Sequence, residues 1–116
     1  MELVERWASY LRHRGHHVKR PQRNRVVVSR NGEGRRYRWV ILCAAGATRP
    51  LTPHEKRHLW RQSQIARRKR EDAYVVVHFE PPVDKLLVLP AESVLKNPRV
   101  SAAKGGISWE EEWPQE

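Results

Sequence analysis

The stretch that decides the fold runs from residue 25 to residue 45 and reads RVVVSRNGEGRRYRWVILCAA. Its first part is rich in β-branched residues, and Asn31-Gly32 follows as a hairpin signal, because both central residues of a type I′ turn need positive φ. The returning strand, predicted over 35–45, alternates at first and ends as a continuous apolar run, which indicates burial on both faces. The sequence therefore predicts a β-hairpin in a sheet that is covered on both sides.

The segments around this hairpin predict an α/β domain with the element order α-β-β-β-α-β-β. The predicted elements are helices over 2–14, 52–70 and 90–96, and strands over 16–20, 25–29, 35–45, 73–79 and 85–89. A hairpin followed by a helix and an apolar strand implies one crossover on a mixed central sheet flanked by helices. We expect a single small domain over 1–100 and a C-terminal tail over 101–116, rich first in Gly and Ala and then in Trp and Glu.

The helix over 52–70 begins with a sequence that has two interpretations. Thr52 can cap the helix, Pro53 fits its first position, and Glu55 closes a capping box. The same stretch matches His-Glu-x-x-His, which on a helix places two imidazoles on one face for Zn²⁺. We favour helix capping, since both intervening residues are cationic and the motif lies in an exposed first turn. A zinc hydrolase that uses His54, Glu55 and His58 remains an alternative.

The charge of the chain is high and unevenly distributed. The formal net charge is +10 and the pI is about 10.6. Residues 1–70 hold 19 Lys and Arg against 4 Asp and Glu, whereas residues 71–116 hold 4 against 9. Such a field attracts polyanions, of which nucleic acid is the commonest inside cells. A solvated basic surface without a partner, a membrane surface and an acidic protein are the alternatives.

The candidate nucleic-acid-binding residues form two groups, one around the end of the first helix and one along the second helix. Cations of this kind neutralise phosphates without reading sequence. Trp60, beside the second group, either stacks on a base or covers the rim of the core, and we favour the rim. The candidates are Arg12, Arg14, Lys19, Arg20, Arg23, Arg25, Lys56, Arg57, Trp60, Arg61, Arg67 and Arg68.

The layout resembles the PD-(D/E)XK nuclease superfamily, especially the archaeal-type Holliday-junction resolvases, over roughly residues 3–95. The resemblance implies a restriction-endonuclease-like fold, DNA as a partner and a homodimer. The segments that carry it are Val4-Glu5-Arg6, Arg14-Gly15, His17-Val18-Lys19-Arg20, the hairpin over 26–45, the capped helix from Thr52, and the strands over 74–79 and 86–90.

The family's catalytic residues have no counterparts here apart from Glu5. The family needs an Asp at the start of one hairpin strand and Glu-x-Lys on the other, and these carboxylates hold Mg²⁺. The Asp position falls near Arg25 or Val26, and the Glu-x-Lys positions fall near Ile41-Leu42-Cys43. We therefore expect no catalytic residues, no metal and no cofactor. An active nuclease with relocated ligands around Glu5, Glu33 or Glu80, with Mg²⁺ or Mn²⁺, is an alternative.

Several smaller features bear on function. The cluster of His13, His16 and His17 either binds a metal or phosphate or, as we favour, is only a polar strand beside a helix end. Cys43 lies in an apolar run and is expected to be an inert core thiol.

With one cysteine, no apolar leader and no segment long enough to span a bilayer, the expected location is the cytoplasm, without membrane attachment.

The tail suggests a regulatory role. Trp109 and Trp113 flank three consecutive glutamates, and such a segment can compete with nucleic acid for a basic face.

Taken together, these features of the sequence favour a non-catalytic nucleic-acid binder with a degenerate nuclease site. The alternatives are an active metal-dependent nuclease, a structural or protein-interaction domain, and the zinc hydrolase.

Overall fold

The computed structural model describes residues 2–19 and 24–104. The helices are α1 (Leu3–His13), α2 (Pro53–Lys69) and α3 (Ala91–Lys96), with a 3-10 turn at Ala102–Lys104. The strands are β1 (His17–Val18), β2 (Val26–Arg30), β3 (Arg36–Ala44), β4 (Thr48–Pro50), β5 (Asp72–Phe79), β6 (Lys85–Pro90) and β7 (Arg99–Ser101). The predicted order α-β-β-β-α-β-β is confirmed, and β4 and β7 are additions to it. No helix in the described residues is long and apolar enough to cross a membrane.

The central sheet has five strands in the order β1-β2-β3-β5-β6. β3 and β5 are parallel, and every other neighbouring pair is antiparallel. The parallel pair follows from α2, which crosses over the sheet between the two strands, as the sequence predicts for a mixed sheet. β4 and β7 pair separately as a two-stranded antiparallel sheet, and neither strand is among the elements predicted from the sequence.

The sheet is covered on both faces. Trp7 and Leu11 of α1 pack with Trp39 and neighbouring residues on one face. Leu59 of α2 and Val94 of α3 pack on the opposite face. This explains the continuous apolar run at the end of β3, in which successive side chains enter alternate cores.

The start of α2 forms as its sequence predicts. Oγ1 of Thr52 accepts a hydrogen bond from the amide of Glu55 at 3.1 Å, and Oε1 of Glu55 accepts one from the amide of Thr52 at 2.9 Å. Pro53 occupies the first turn. The capping box is complete, and it fixes where the exposed faces of α2 point relative to the sheet.

The hairpin is confirmed, but its turn differs from the predicted two-residue type. The amide of Asn31 donates to the carbonyl of Arg35 at 2.9 Å, and the amide of Gly34 donates to the carbonyl of Asn31 at 3.1 Å. Gly34 takes the positive φ of 87°, and Gly32 does not. This is the three-residue loop with glycine at the left-handed position. Its length places Arg30 directly opposite Arg36.

Candidate nucleic-acid interface

A basic groove lies on the α2 side of the sheet, where the exposed end of β2 and the start of β3 approach the C-terminal end of α2. Its volume is about 680 Å³. The side chains of Val28, Arg30 and Arg36 point to this side because they alternate with residues that face α1. We call this feature the basic groove; its lining residues are His17, Lys19, Val28, Ser29, Arg30, Arg36, Arg68, Lys69, Arg70 and Glu71.

The groove holds six cations and one carboxylate, and that carboxylate is already paired. Oε1 of Glu71 accepts a hydrogen bond from Nε of Arg38 at 2.7 Å, and both side chains are only 4% exposed. Arg38 also donates from Nη1 to Oε1 of the buried Gln62 at 2.8 Å. The charge of Glu71 is thus balanced by Arg38 beneath the groove. Glu71 therefore does not neutralise the six groove cations.

The two arginines of the hairpin face one another. Arg30 and Arg36 are the cross-strand pair next to the turn, and both are exposed. Like charges directly opposite each other in a sheet are destabilising. Neither guanidinium forms an ion pair with any side chain in residues 2–19 or 24–104. The arrangement leaves two cations side by side with nothing in the described part of the chain to neutralise them.

The exposed surface of α2 extends this charge. Because an α-helix has about 3.6 residues per turn, Arg57, Arg61 and Arg68 share one flank, which we call the arginine flank. Arg68 lies in the basic groove, so the flank continues the groove along the helix. The one carboxylate of α2, Glu55, is bound by Arg49 and the capping box. The flank and the groove therefore form a continuous positive surface.

The structure separates several residues that the sequence analysis grouped together. Lys19 joins Arg68 in the groove. Arg12 and Arg14 belong to the end of α1, which packs on the other face of the sheet, and Arg14 places its guanidinium 3.8 Å from the ring centroid of Tyr10. Arg25 lies beyond the opposite end of β2. Arg12 and Arg14 lie at the end of α1 as expected, but outside the basic groove. The expectation of one cluster around the end of α1 is wrong for Arg25, which lies beside the start of α1. Arg20 and Arg23 lie outside the described residues.

The candidates on α2 are all exposed. Lys56 and Arg67 lie on the other side of Trp60 from the arginine flank, and Arg67 borders a polar pocket next to α3. Trp60 is 58% exposed. The expectation that Trp60 covers the core rim is therefore wrong, because Leu59, Gln62 and Ala66 form the buried side of this helix.

Four cations of the groove are absent from the residues predicted from the sequence: Arg30, Arg36, Lys69 and Arg70. The alternation of β2 already put Arg30 on the same face as Val26 and Val28. The alternation does not indicate that α2 ends over this face without covering it. Arg70 was unexpected for another reason: it is the left-handed C-cap of α2, with a φ of 56°, and this conformation turns the chain into β5 beside the groove.

The histidine cluster does not gather into one site. Nδ1 of His13 is 2.8 Å from the carbonyl of Ser9, and Nδ1 of His16 is 3.0 Å from Oγ of Ser29. Burial lowers the pKa of His16, which favours the neutral ring. Only His17 lines the basic groove.

A second, smaller crevice lies at the other end of the hairpin, on the α1 side. It has a volume of about 170 Å³ and is lined by Glu2, Leu3, Val4, Arg25, Ile41 and Cys43. The amide of Ile41 donates to the carbonyl of Arg25 at 3.0 Å, which places these two residues side by side. These are the positions at which the resemblance puts the family's Asp and Glu-x-Lys. Glu5 is exposed on α1, and the acidic residue that lines the crevice is Glu2.

The surroundings of Cys43, which is half-buried, disfavour its thiolate form. Burial raises its pKa, and a hydrogen bond from Sγ to Oε1 of Glu80 at 3.1 Å acts in the same direction. Since the thiolate is the reactive form, this environment suits an inert side chain.

The His-Glu-x-x-His segment has a structural explanation. Besides the capping bond, both oxygens of Glu55 receive hydrogen bonds from the guanidinium of Arg49. Burial alone would raise the pKa of Glu55, but the bonds from Arg49 and Thr52 outweigh it and lower the pKa. A carboxylate held in this way is a weak general base. His54 is exposed, and His58 is half-buried with a pKa lowered chiefly by burial.

Two of the carboxylates considered as relocated nuclease ligands, Glu33 and Glu80, are far apart. Glu33 lies in the hairpin loop and Glu80 follows the last residue of β5, so the length of β3, about 26 Å, separates them. In residues 2–19 and 24–104, no three His, Cys, Asp or Glu side chains come together in a way that would hold a metal ion.

The comparisons with known proteins bear on the fold. No protein-family model matches the chain, and no curated protein sequence matches it. Among solved structures, it is similar to Hjc, a Holliday junction resolvase from the archaeal hyperthermophile Archaeoglobus fulgidus. The TM-score is 0.59 with 18% identity, over 91% of this chain and 84% of that one. The likeness shows the fold. This chain is a small restriction-endonuclease-like α/β domain, and the fold class predicted from the sequence is confirmed.

Proposed function

We propose that this chain is a non-catalytic nucleic-acid-binding protein, with DNA as its ligand, and that it binds through the basic groove and the arginine flank. The observation that carries the proposal is the convergence of six cations on one groove whose one carboxylate is held by Arg38. A polyanion supplies the countercharge that the described residues do not.

The local energetics support this proposal. The side-by-side placement of Arg30 and Arg36 lowers the stability of the free protein, as does the spacing of Arg57 and Arg61 one turn apart on α2. Phosphates between these pairs turn repulsion into attraction. The cations in the last turn of α2 also interact favourably with the helix dipole, but this does not account for Arg30, Arg36 or Lys19.

The shape of the surface suits a phosphate backbone. From Arg57 to Arg68 the arginine flank spans about 16 Å along α2, and the groove continues beyond it. Guanidinium groups bind phosphate oxygens in a two-pronged geometry. Contacts of this kind hold the backbone and leave sequence unread, so we expect binding with little sequence preference.

The absence of catalysis is proposed from the residues of the small crevice. Mg²⁺ prefers carboxylate and other oxygen ligands. Where the resemblance puts the catalytic carboxylates and lysine, this chain has Arg25, the buried side chain of Ile41 and the thiol of Cys43. A guanidinium repels a metal ion, and the other two side chains offer it no oxygen. The crevice and the basic groove also lie at opposite ends and on opposite faces of the hairpin.

The test is a titration of fluorescently labelled single-stranded, duplex and four-way-junction DNA at several salt concentrations, first without divalent metal. We expect binding that weakens steeply with salt, with a slope of about 0.9 per phosphate contact on duplex DNA. Adding Mg²⁺ or Mn²⁺ should leave the DNA uncut. Absence of binding at low salt would refute nucleic-acid binding, and metal-dependent cutting would refute the non-catalytic part.

A further inference from the structure

Trp60 is the large hydrophobic side chain that the described surface leaves exposed. It is 58% accessible, and among residues 2–19 and 24–104 no other large hydrophobic residue is classed as exposed. A single exposed apolar residue is common on protein surfaces and needs no explanation by itself. The surroundings of Trp60 are what distinguish it.

Trp60 lies on the exposed face of α2 between two rows of cations. Helical geometry puts Arg57 and Arg61 on one side of it and Lys56 and Arg67 on the other. All four are exposed, and none forms an ion pair with a described side chain. No ring or guanidinium in the described residues stacks on the indole. The result is an open aromatic face bordered by groups that bind phosphate.

We propose that Trp60 stacks on an unpaired nucleobase while the cations on both sides hold the flanking phosphates. This inference rests on the proposed function and names its ligand more closely: single-stranded nucleic acid, or a locus where bases are exposed. Stacking on an aromatic side chain is sequence-tolerant, because every base has a π face. Within an intact duplex the faces of the bases are covered by their neighbours, so the indole has nothing to stack on except at an end.

The same surroundings disfavour contact between two copies of this chain. A two-fold axis through Trp60 would bring the four cations of one copy against the same four cations of the other. Like charges facing each other across an interface oppose association. A polyanion with aromatic bases meets both requirements of the surface, namely an apolar plane and countercharge.

The experiment compares Trp60→Leu and Trp60→Phe with the wild-type protein on three ligands of equal length. The ligands are a single-stranded oligonucleotide, the same strand with abasic residues along its length, and a duplex whose two ends are closed by non-nucleotide linkers. Since the variants leave the charge unchanged, all three proteins should share one salt dependence. Trp60→Leu should weaken binding of the intact single strand roughly 5- to 150-fold. Trp60→Phe should recover most of that loss, and binding of the abasic strand and the duplex should change less than about twofold.

Several outcomes would overturn the inference and leave the proposed function separately testable. Equal affinity of wild-type and Trp60→Leu for the single strand refutes stacking, and so does an equal loss on all three ligands. A change in molar mass by light scattering caused by Trp60→Leu would identify Trp60 as a contact between copies instead. If Arg30→Gln/Arg36→Gln weakens binding of every ligand while Trp60→Leu weakens none, nucleic-acid binding stands and stacking fails. Because Trp60 is exposed, the variants should unfold at the wild-type temperature, and this is checked by circular dichroism.

Discussion

Arg30 and Arg36 face each other across the β2–β3 hairpin, and both side chains line the basic groove. The pair is at once a local weakness of the sheet and, in the proposed function, a phosphate contact. Stability and binding should therefore respond in opposite directions when one of these charges is changed.

Replacing Arg36 with Glu tests this opposition. Arg36→Glu turns the repelling pair into an attracting one, and a favourable cross-strand charge pair stabilises a sheet by about 0.2–1 kcal/mol. The free energy of unfolding in urea should rise at low salt, and affinity for DNA should fall. Arg99→Glu, which changes the same charge on β7, should raise stability less. A loss of stability in Arg36→Glu would contradict the account.

The buried ion pair beneath the groove should be far more sensitive than an exposed one. Arg38→Met leaves the carboxylate of Glu71 buried without its cation, which destabilises by about 3–5 kcal/mol when such a pair is broken. Adding Glu71→Gln to Arg38→Met should recover much of this loss, because no unpaired charge remains. Arg35→Met removes the partner of Asp72, with side chains 60% and 42% exposed, and should change stability little. Equal losses in Arg38→Met and Arg35→Met would show that Arg38 does not have the role assigned to it.

The carboxylate of Glu55 makes the free energy of unfolding depend on pH in the acidic range. Its pKa is lower in the folded protein than the value of 4.5 for a free side chain, because the hydrogen bonds from Arg49 and Thr52 outweigh burial. The stability it contributes is complete above pH 4.5 and is lost as the pH falls through the lower folded-state pKa. The stability gap between the wild-type protein and Glu55→Gln should therefore close in acid. The gap is measured by urea unfolding from pH 7 to pH 3, and a constant gap would contradict the assignment.

The tail hypothesis concerns residues outside the described part of the chain. Deleting residues 106–116 removes four glutamates. If this segment competes for the basic groove, the deletion should tighten DNA binding at low salt, with a smaller gain at high salt because the competition is electrostatic. Replacing Glu110, Glu111 and Glu112 with Gln in the full chain should give part of the same gain. Unchanged affinity in both variants would remove the hypothesis.

Local signals explain why so much of the fold could be predicted from the sequence. The capping box at Thr52 fixes the start of α2, and the β-branched residues of β2 and the apolar end of β3 identify a covered hairpin. The pairing of β4 with β7 could not be predicted, because it joins short segments about 50 residues apart that have no periodicity of their own. The turn was misjudged because the loop contains two glycines, and the choice between them depends on how Asn31 and Arg35 pair.

The candidate site was harder to predict than the fold for a geometric reason. Composition indicated a polyanion partner, and helix periodicity placed Arg57, Arg61 and Arg68 on one flank. Neither signal states which sheet face α2 covers or where the helix ends over it. Arg30 and Arg36 belong to the site only because of this tertiary placement, and Arg12 and Arg14 lie outside it for the same reason. Residues close in sequence can lie on opposite layers of an α/β domain.

In the proposed function the basic groove, and not the overall charge of the chain, binds nucleic acid. The most direct measurement compares two variants with the same net charge, Arg30→Gln/Arg36→Gln in the groove and Arg12→Gln/Arg99→Gln away from it, by titrating labelled DNA over a range of salt. The groove variant should lose affinity, and its salt slope on duplex DNA should fall by about 2, while the control should retain nearly wild-type values. Equal losses in the two variants would contradict the claim and leave only non-specific attraction by net charge.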